Sequence, residues 1–404
     1  MSMSSEEIKN MAGQYLMNTY GRYNLALVRG DGARLYDPEG NEYLDFVAGI
    51  AVSSLGHAHP GLAEAVAEQA RRLVHVSNLY YTEPQVELAR LLVEHSFADR
   101  VFFCNSGAEA NEAAIKLARK YSYDKYGPGR FRVVSMENSF HGRTLATLAA
   151  TGQTKIHKGF EPLMEGFDHV PFGDVVRLEE ALSDQVCAVM VEPIQGEGGV
   201  NEPGGEYFHR LAEACRTRDI LMIFDEIQVG LGRTGTLFAY EQLGVEPDIM
   251  TLAKAMAGGL PMGAALARDE VAKAFGPGSH ATTFGGTPLV SAAGLFAFRK
   301  ISAPGFLEQV TRVGGYFKSR LSDLAARYDF VREVRGRGLL LAVELAFPGT
   351  PVLQEMMRRG FLINCTQDRV LRFVPPLIIT ESEVDLLVPA LEEVLLAAAA
   401  GHRE

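Results

Sequence analysis

Cysteine is scarce: Cys104, Cys187, Cys215 and Cys365 are the only four among 404 residues, and no two form a C-x-x-C pair. That argues against a disulfide scaffold and fits a reducing compartment. Basic residues are outnumbered, with 39 Lys and Arg against 50 Asp and Glu for a formal charge of −11. Such a balance argues against a general affinity for nucleic acid or anionic membrane. A charge-free stretch such as Phe46 to Ala63 is broken by Gly, Ser, His and Pro, whereas a membrane span needs about twenty uniformly apolar residues. The opening MSMSSEEIKN carries two acidic residues and no apolar h-region, so it does not read as a signal peptide. Internal repeats and low-complexity linkers are missing too. These absences predict a cytoplasmic protein with neither nucleic-acid nor membrane partners.

What is present fits a globular chain with a large core, 47% hydrophobic and 22% charged, of a length suited to two or three domains. Short apolar runs recur, each ending in polar residues: VFFCNSGAE (101–109), FRVVSMENSFHG (131–142), CAVMVEPIQGE (187–197), ILMIFDEIQ (220–228) and DIMTLAK (248–254). Runs of this length without alternation suit strands buried on both faces of a sheet. Helical patterns such as EANEAAIKLARKYSY (109–123) and YFHRLAEACRTRD (207–219) lie between them. The alternation predicts an α/β domain with a mostly parallel, helix-covered sheet. Ligands bind beyond the carboxyl ends of such strands, so one site assembled from five loops is expected. After about residue 300 the pattern changes. A helix (306–328), strands (331–345 and 370–380) and a final helix predict a smaller α+β domain, joined by the N-terminal segment. The expected division is 1–60, 61–299 and 300–404, with the outer two segments forming the small domain.

Three clusters carry chemistry. In MTLAKAMAGGLPMGA (250–264) Lys254 is the single charge. A lysine there either lays its stem on an apolar surface with its ammonium in water, or is desolvated to act as a nucleophile. In NSGAEANEAAIKLARK (105–120), Ser106 and Glu109 have capping-box spacing at a helix start, and Gly107 and Ala108 would let a phosphate reach free N–H groups on the helix dipole. A hydroxyl-rich loop, SHATTFGG (279–286), could add donors, and without G-x-x-x-x-G-K-[ST] a nucleoside triphosphate is not the expected anion. In IFDEIQVGLGRTG (223–235), Asp225 ends an apolar strand and needs a cationic donor, either a structural arginine such as Arg233 or the protonated nitrogen of a pyridine cofactor. GLGRTG (230–235) also matches G-x-G-x-x-G, the mark of a nicotinamide-dependent oxidoreductase. However, five residues separate Phe224 from Gly230, whereas the fingerprint should follow its strand at once. Asp225 and Lys254 lie 29 residues apart, about one strand–helix–strand crossover of roughly thirty residues, which predicts both at one sheet edge. A phosphate cradle, an acid for a ring nitrogen and an amine for an aldehyde are the three handles of pyridoxal 5'-phosphate. His57 and His59 in GHAHPG have no third ligand at a usual spacing and are read as structural.

With these blocks in order, and with FVAGIAVSSLGHAHP, FHGRTLATLAATGQ, TTFGGTPL and LRFVPPLI besides, the chain resembles the class III pyridoxal-phosphate aminotransferases of fold type I, most closely their acetylornithine branch. The resemblance implies transamination between N-acetylornithine and 2-oxoglutarate, with glutamate as product, in arginine biosynthesis. Lys254 resembles the lysine that bonds the cofactor aldehyde and later carries the proton. Asp225 resembles the ring-nitrogen partner, Gln228 the residue on the ring hydroxyl, and Phe140 the stacking aromatic. Ser106, Gly107 and Ala108 match the phosphate donors, and Thr283 the hydroxyl supplied by a neighbouring subunit, which implies a homodimer with shared sites. Arg372 resembles the arginine that grips the α-carboxylate of glutamate, and Glu197 the carboxylate that holds it otherwise. Arg143 and Tyr20 resemble the distal anchors. Thr287 stands where the family more often has Asn, and Val229 where Thr is common.

Overall fold

The computed structural model describes residues 3–401. Near the N-terminal end three short strands run antiparallel: β1 (Arg29–Asp31), β2 (Arg34–Tyr36) and β3 (Glu42–Asp45). Seven strands then build a central sheet: β4 (Arg100–Cys104), β5 (Arg132–Met136), β6 (Phe167–Val170), β7 (Val186–Val191), β8 (Leu221–Asp225), β9 (Ile249–Leu252) and β10 (Gly263–Ala267). Their order is β4-β10-β9-β8-β7-β5-β6. β10 runs antiparallel to both neighbours, and the remaining pairs are parallel. The expected α/β sheet is therefore present, and the five apolar runs are β4, β5, β7, β8 and β9.

These runs are apolar throughout because both sheet faces are covered. Val189, Val191, Met222, Phe224, Met250 and Leu252 enter one core cluster. Cys187, Met190, Leu221, Ile223 and Ile249 enter another on the opposite face. Successive side chains of a strand point to opposite faces, so a two-sided burial needs an uninterrupted apolar run. Helices Gly107–Tyr126 and Tyr207–Thr217 cover the sheet, close to their expected spans.

The later strands are β11 (Val331–Arg337), β12 (Leu340–Leu345), β13 (Phe361–Leu362), β14 (Asn364–Thr366) and β15 (Val370–Phe373). β11, β12, β15 and β14 form a second sheet, and β13 extends the N-terminal meander by pairing parallel with β3. The single strand expected over 331–345 is a hairpin, because Gly338 turns the chain at φ +54°. Helices Phe306–Arg327 and Glu381–Gly401 share a core with these strands. Among the described residues no helix is long and apolar enough to cross a membrane.

One connection differs from expectation. Between β8 and β9 the chain contains only turns and a short 3-10 segment, Ala239–Gln242, not an α-helix. Gly230, Gly232 and Gly235 break the stretch, the last two at φ +90° and +99°, where a side chain would be strained.

Candidate active site

The strand ends bring the site together. Asp225, last in β8, pairs in register with Thr251 of β9, so Lys254 emerges three residues later on the same edge. The segments that follow β4, β5, β7, β8 and β9 line one cavity of about 420 Å³ containing Ser106, Gly107, Ala108, Phe140, Arg143, Glu192, Glu197, Asp225, Gln228 and Lys254. The five expected loops thus meet, although the last crossover is not helical: sheet register alone aligns the two strand ends.

At the start of the helix Gly107–Tyr126, Ser106 Oγ accepts the Glu109 N–H at 3.2 Å. The expected reciprocal bond is displaced, because Glu109 Oε2 accepts the N–H of Asn105 (2.6 Å) rather than that of Ser106. Among the described residues the N–H groups of Ser106, Gly107 and Ala108 have no acceptor. These free donors, on the positive end of a 20-residue helix, suit a phosphate. Crowding keeps the loop shallow. A Cβ on Gly107 would stand 2.8 Å from Ile227 Cδ1, and one on Gly263 only 2.5 Å from the Ser106 carbonyl oxygen.

Asp225 is 4% exposed and accepts three hydrogen bonds, from Asn111 Nδ2 (2.8 Å), His141 Nδ1 (2.8 Å) and the Ile227 N–H (3.1 Å). Asn111 in turn accepts from Thr251 Oγ1 (2.7 Å) and donates to the His141 carbonyl (2.8 Å). Arg233 is not the partner: its guanidinium donates to the carbonyls of Leu339 (3.0 Å) and Pro375 (2.6 Å), and burial lowers its pKa to about 9. His141 and Asn111 escaped the sequence reading. The only signal for His141 was its place beside Phe140 in SFHGR, and for Asn111 a polar residue on the apolar face of its helix.

Lys254 lines the cavity at φ +45°. Burial lowers its pKa below that of an ordinary lysine, and Glu197 opposes the shift without reversing it. A larger share of the amine is therefore neutral at a given pH, as a nucleophile requires.

Arg372, on β15, is 1% exposed. Its Nη1 donates to Glu197 Oε1 (2.6 Å) and Gln228 Oε1 (3.0 Å), while Nε and Nη2 reach Asn364 Oδ1 (3.2 and 2.7 Å). Gln228 Nε2 also donates to Glu197 Oε1 at 3.2 Å. Burial pushes the Glu197 pKa up, but Arg372, Lys254 and these hydrogen bonds outweigh it and hold the group below the usual range. Arg143 has no carboxylate within ion-pair distance among the described residues and lies 5.6 Å from the centroid of the Phe140 ring.

Two expected residues lie apart from this cavity. Tyr20 is 70% exposed, whereas Tyr23, unnoticed in the sequence, has its phenol beside Asn364 and Arg372 and its pKa raised by burial. Thr283 lines a separate small hollow with His75 and Asn78. Thr287 Oγ1 donates to the Val74 carbonyl at 2.7 Å, and Val229 packs with Ile194 and Val370. His57 pairs with Asp45 at 2.7 Å, and His59 caps the helix Pro60–Arg72.

A family model for class-III aminotransferases matches residues 15–395. The chain belongs to the class-III aminotransferase family. The chain is 52% identical to the acetylornithine aminotransferase of Caldanaerobacter subterraneus subsp. tengcongensis over 383 residues, 95% of this chain and 97% of the relative. An ornithine aminotransferase of Toxoplasma gondii, solved with partial occupancy of pyridoxal phosphate at its active site, superposes with a TM-score of 0.94. It is 36% identical, and the match covers 99% of this chain and 96% of that one. An N-acetylornithine aminotransferase of Stenotrophomonas maltophilia gives a TM-score of 0.84 at 39% identity, with 97% and 99% covered. The fold is that of the fold type I enzymes, and this aminotransferase uses pyridoxal 5'-phosphate. The cavity fits that cofactor: three N–H donors without acceptors, a buried carboxylate and a desolvated amine border one space.

Proposed function

We propose that this aminotransferase carries the terminal amino group of N-acetylornithine to 2-oxoglutarate, giving N-acetylglutamate 5-semialdehyde and glutamate, a step of arginine biosynthesis. The observation that carries the reading is the Glu197–Arg372 pair at one side of the cavity, which Arg143 also lines with no carboxylate within ion-pair distance among the described residues. Two substrates must present amines to the same centre while holding carboxylates at different distances from it. Arg372 grips the α-carboxylate of glutamate through bidentate geometry. Glu197 neutralises Arg372 when the terminal-amine substrate is bound, and Arg143 takes that substrate's distal carboxylate.

The cofactor supplies an aldehyde that exchanges amines and a ring that stabilises negative charge on the carbon being deprotonated. Lys254 would hold it through Nζ, and that amine, when free and neutral, would take up the proton that leaves the amine-bearing carbon of the substrate. Asp225, steadied by Asn111 and His141, would hold the ring nitrogen protonated. Gln228 would bond the ring hydroxyl, Phe140 would pack against the ring, and the N–H groups of Ser106, Gly107 and Ala108 would hold the phosphate. Thr283 adds a hydroxyl from the second subunit of a homodimer; its distance from its own chain's cavity supports that assignment. We also read residues 61–299 as a large domain and residues 1–60 with 300–404 as a small one, supported by their separate cores. The place of work is the cytoplasm.

The test is a panel of ω-amino donors with 2-oxoglutarate, ranked by kcat/KM. Acetylornithine is expected to lead ornithine, the succinylated donors and 4-aminobutyrate. If acetylornithine falls far below 4-aminobutyrate, the donor assignment is wrong. The chemistry is tested separately by borohydride, which should fix the cofactor on Lys254 of wild type and not on Lys254→Ala.

A further inference from the structure

Glu192 is a carboxyl group in the wall of this cavity that the proposed function leaves without a task. It is the first residue beyond β7, and Val191 pairs in register with Phe224 of β8. Glu192 therefore stands next to Asp225, two carboxyl groups at neighbouring strand ends, 6% and 4% exposed. Their surroundings differ. Asp225 accepts three hydrogen bonds. The Glu192 carboxyl accepts one, the Phe140 N–H on Oε2 at 3.1 Å, and has no cation within ion-pair distance among the described residues.

Two buried carboxylates side by side cannot both ionise cheaply, and the proton settles on the one with fewer donors. The charged groups facing Glu192 are Asp225 from β8, Lys254 from the segment after β9, and Glu197 from its own loop; the loop after β5 offers the Phe140 N–H. Two of the three charged groups are anionic. Burial, then the Asp225 charge, raises the Glu192 pKa well above the carboxyl range, against the pull of the Phe140 N–H and Lys254.

We propose that Glu192 works as an uncharged carboxylic acid, a positioning residue that anchors Phe140 through its backbone N–H and spares Lys254 a further anionic neighbour. An ionised Glu192 would favour the ammonium form of Lys254 and so oppose the neutral amine that bonds an aldehyde. A protonated one satisfies Phe140 without that effect. The proposal rests on the reading of Lys254 as the amine that bonds the cofactor.

The experiment compares wild type, Glu192→Gln and Glu192→Ala, each prepared without cofactor and then given pyridoxal phosphate. Borohydride trapping on Lys254 is quantified by mass spectrometry over a pH series, and cofactor affinity by fluorescence titration. Glu192→Gln is neutral and keeps an acceptor for the Phe140 N–H. It should reproduce the wild-type trapping midpoint within about 0.3 pH unit and the wild-type affinity within about threefold. Glu192→Ala loses the acceptor, so it should keep the midpoint but bind the cofactor at least tenfold more weakly, roughly the loss of one buried hydrogen bond. A midpoint about one unit lower in Glu192→Gln would mean that the wild-type group is ionised, and wild-type affinity in Glu192→Ala would mean that it anchors nothing. Either result overturns the proposal. Infrared spectra at neutral pH give an independent readout: wild type minus whichever variant folds should contain a protonated-carboxyl C=O band, and its absence also overturns it. No trapping in wild type would instead sink the role given to Lys254.

Discussion

Replacing Glu197 by Gln should shift the balance between the two half-reactions rather than abolish either. Arg372 is 1% exposed and its Nη1 holds Glu197 Oε1 at 2.6 Å. A hydrogen bond to a charged group contributes about 1.5–3 kcal/mol and a neutral one about 0.5–1.5. The two ranges differ by about 1–1.5 kcal/mol end to end, and with Glu197 27% exposed along its side chain the change amounts to roughly tenfold at most. In the glutamate half-reaction the incoming carboxylate must displace the side chain at position 197. Displacing an amide is easier than displacing a carboxylate, so kcat/KM should rise about tenfold. In the terminal-amine half-reaction the guanidinium is left under-compensated, and kcat/KM should fall by about the same factor. The ratio of the two therefore moves roughly a hundredfold. Single-turnover absorbance measurements, with each amino donor mixed separately with the cofactor-loaded enzyme, read both values. Equal changes in the two half-reactions, or a ratio moving the other way, would refute the assignment of Glu197 as the alternate partner of Arg372.

Gly263→Ala should weaken cofactor binding tenfold or more and lower Tm, because the new methyl meets the Ser106 carbonyl oxygen and Cys104 Sγ, at 2.5 and 2.9 Å, and must push the donor loop away. Fluorescence titration with pyridoxal phosphate checks it, and wild-type affinity would show that the loop yields freely. Burial pushes the thiols of Cys104, Cys187 and Cys215 up to about 12. At pH 8 only ~10⁻⁴ of each is thiolate, against about a quarter of a free cysteine. Iodoacetamide should therefore leave these three unmodified in the native protein and label them after denaturation; rapid native labelling of any one would contradict the packing.

Chemical identity and local order came from the chain itself. The run LMIFD is apolar because it is covered on both faces, and its final residue, Asp225, had to lie where strands meet ligands. NSGAE announced a helix start with free donors, and the spacing from Asp225 to Lys254 matched one crossover. Such features are local, governed by side-chain periodicity and backbone capping over a few residues. What tertiary structure decided was partnership across long separations. Nothing in sequence order says that Asp225 is held by Asn111 and His141, 114 and 84 residues away. Nor does it say that Arg233 Nη1 donates to the carbonyls of Leu339 and Pro375, or that Tyr23 comes up to Arg372. The β8–β9 crossover was expected to be helical and is a string of turns, yet the two residues still meet, because strand register fixes their distance whatever the connection does. Hydrogen bonds and ion pairs act over a few ångströms, and only the packed sheets determine which distant residues come that close.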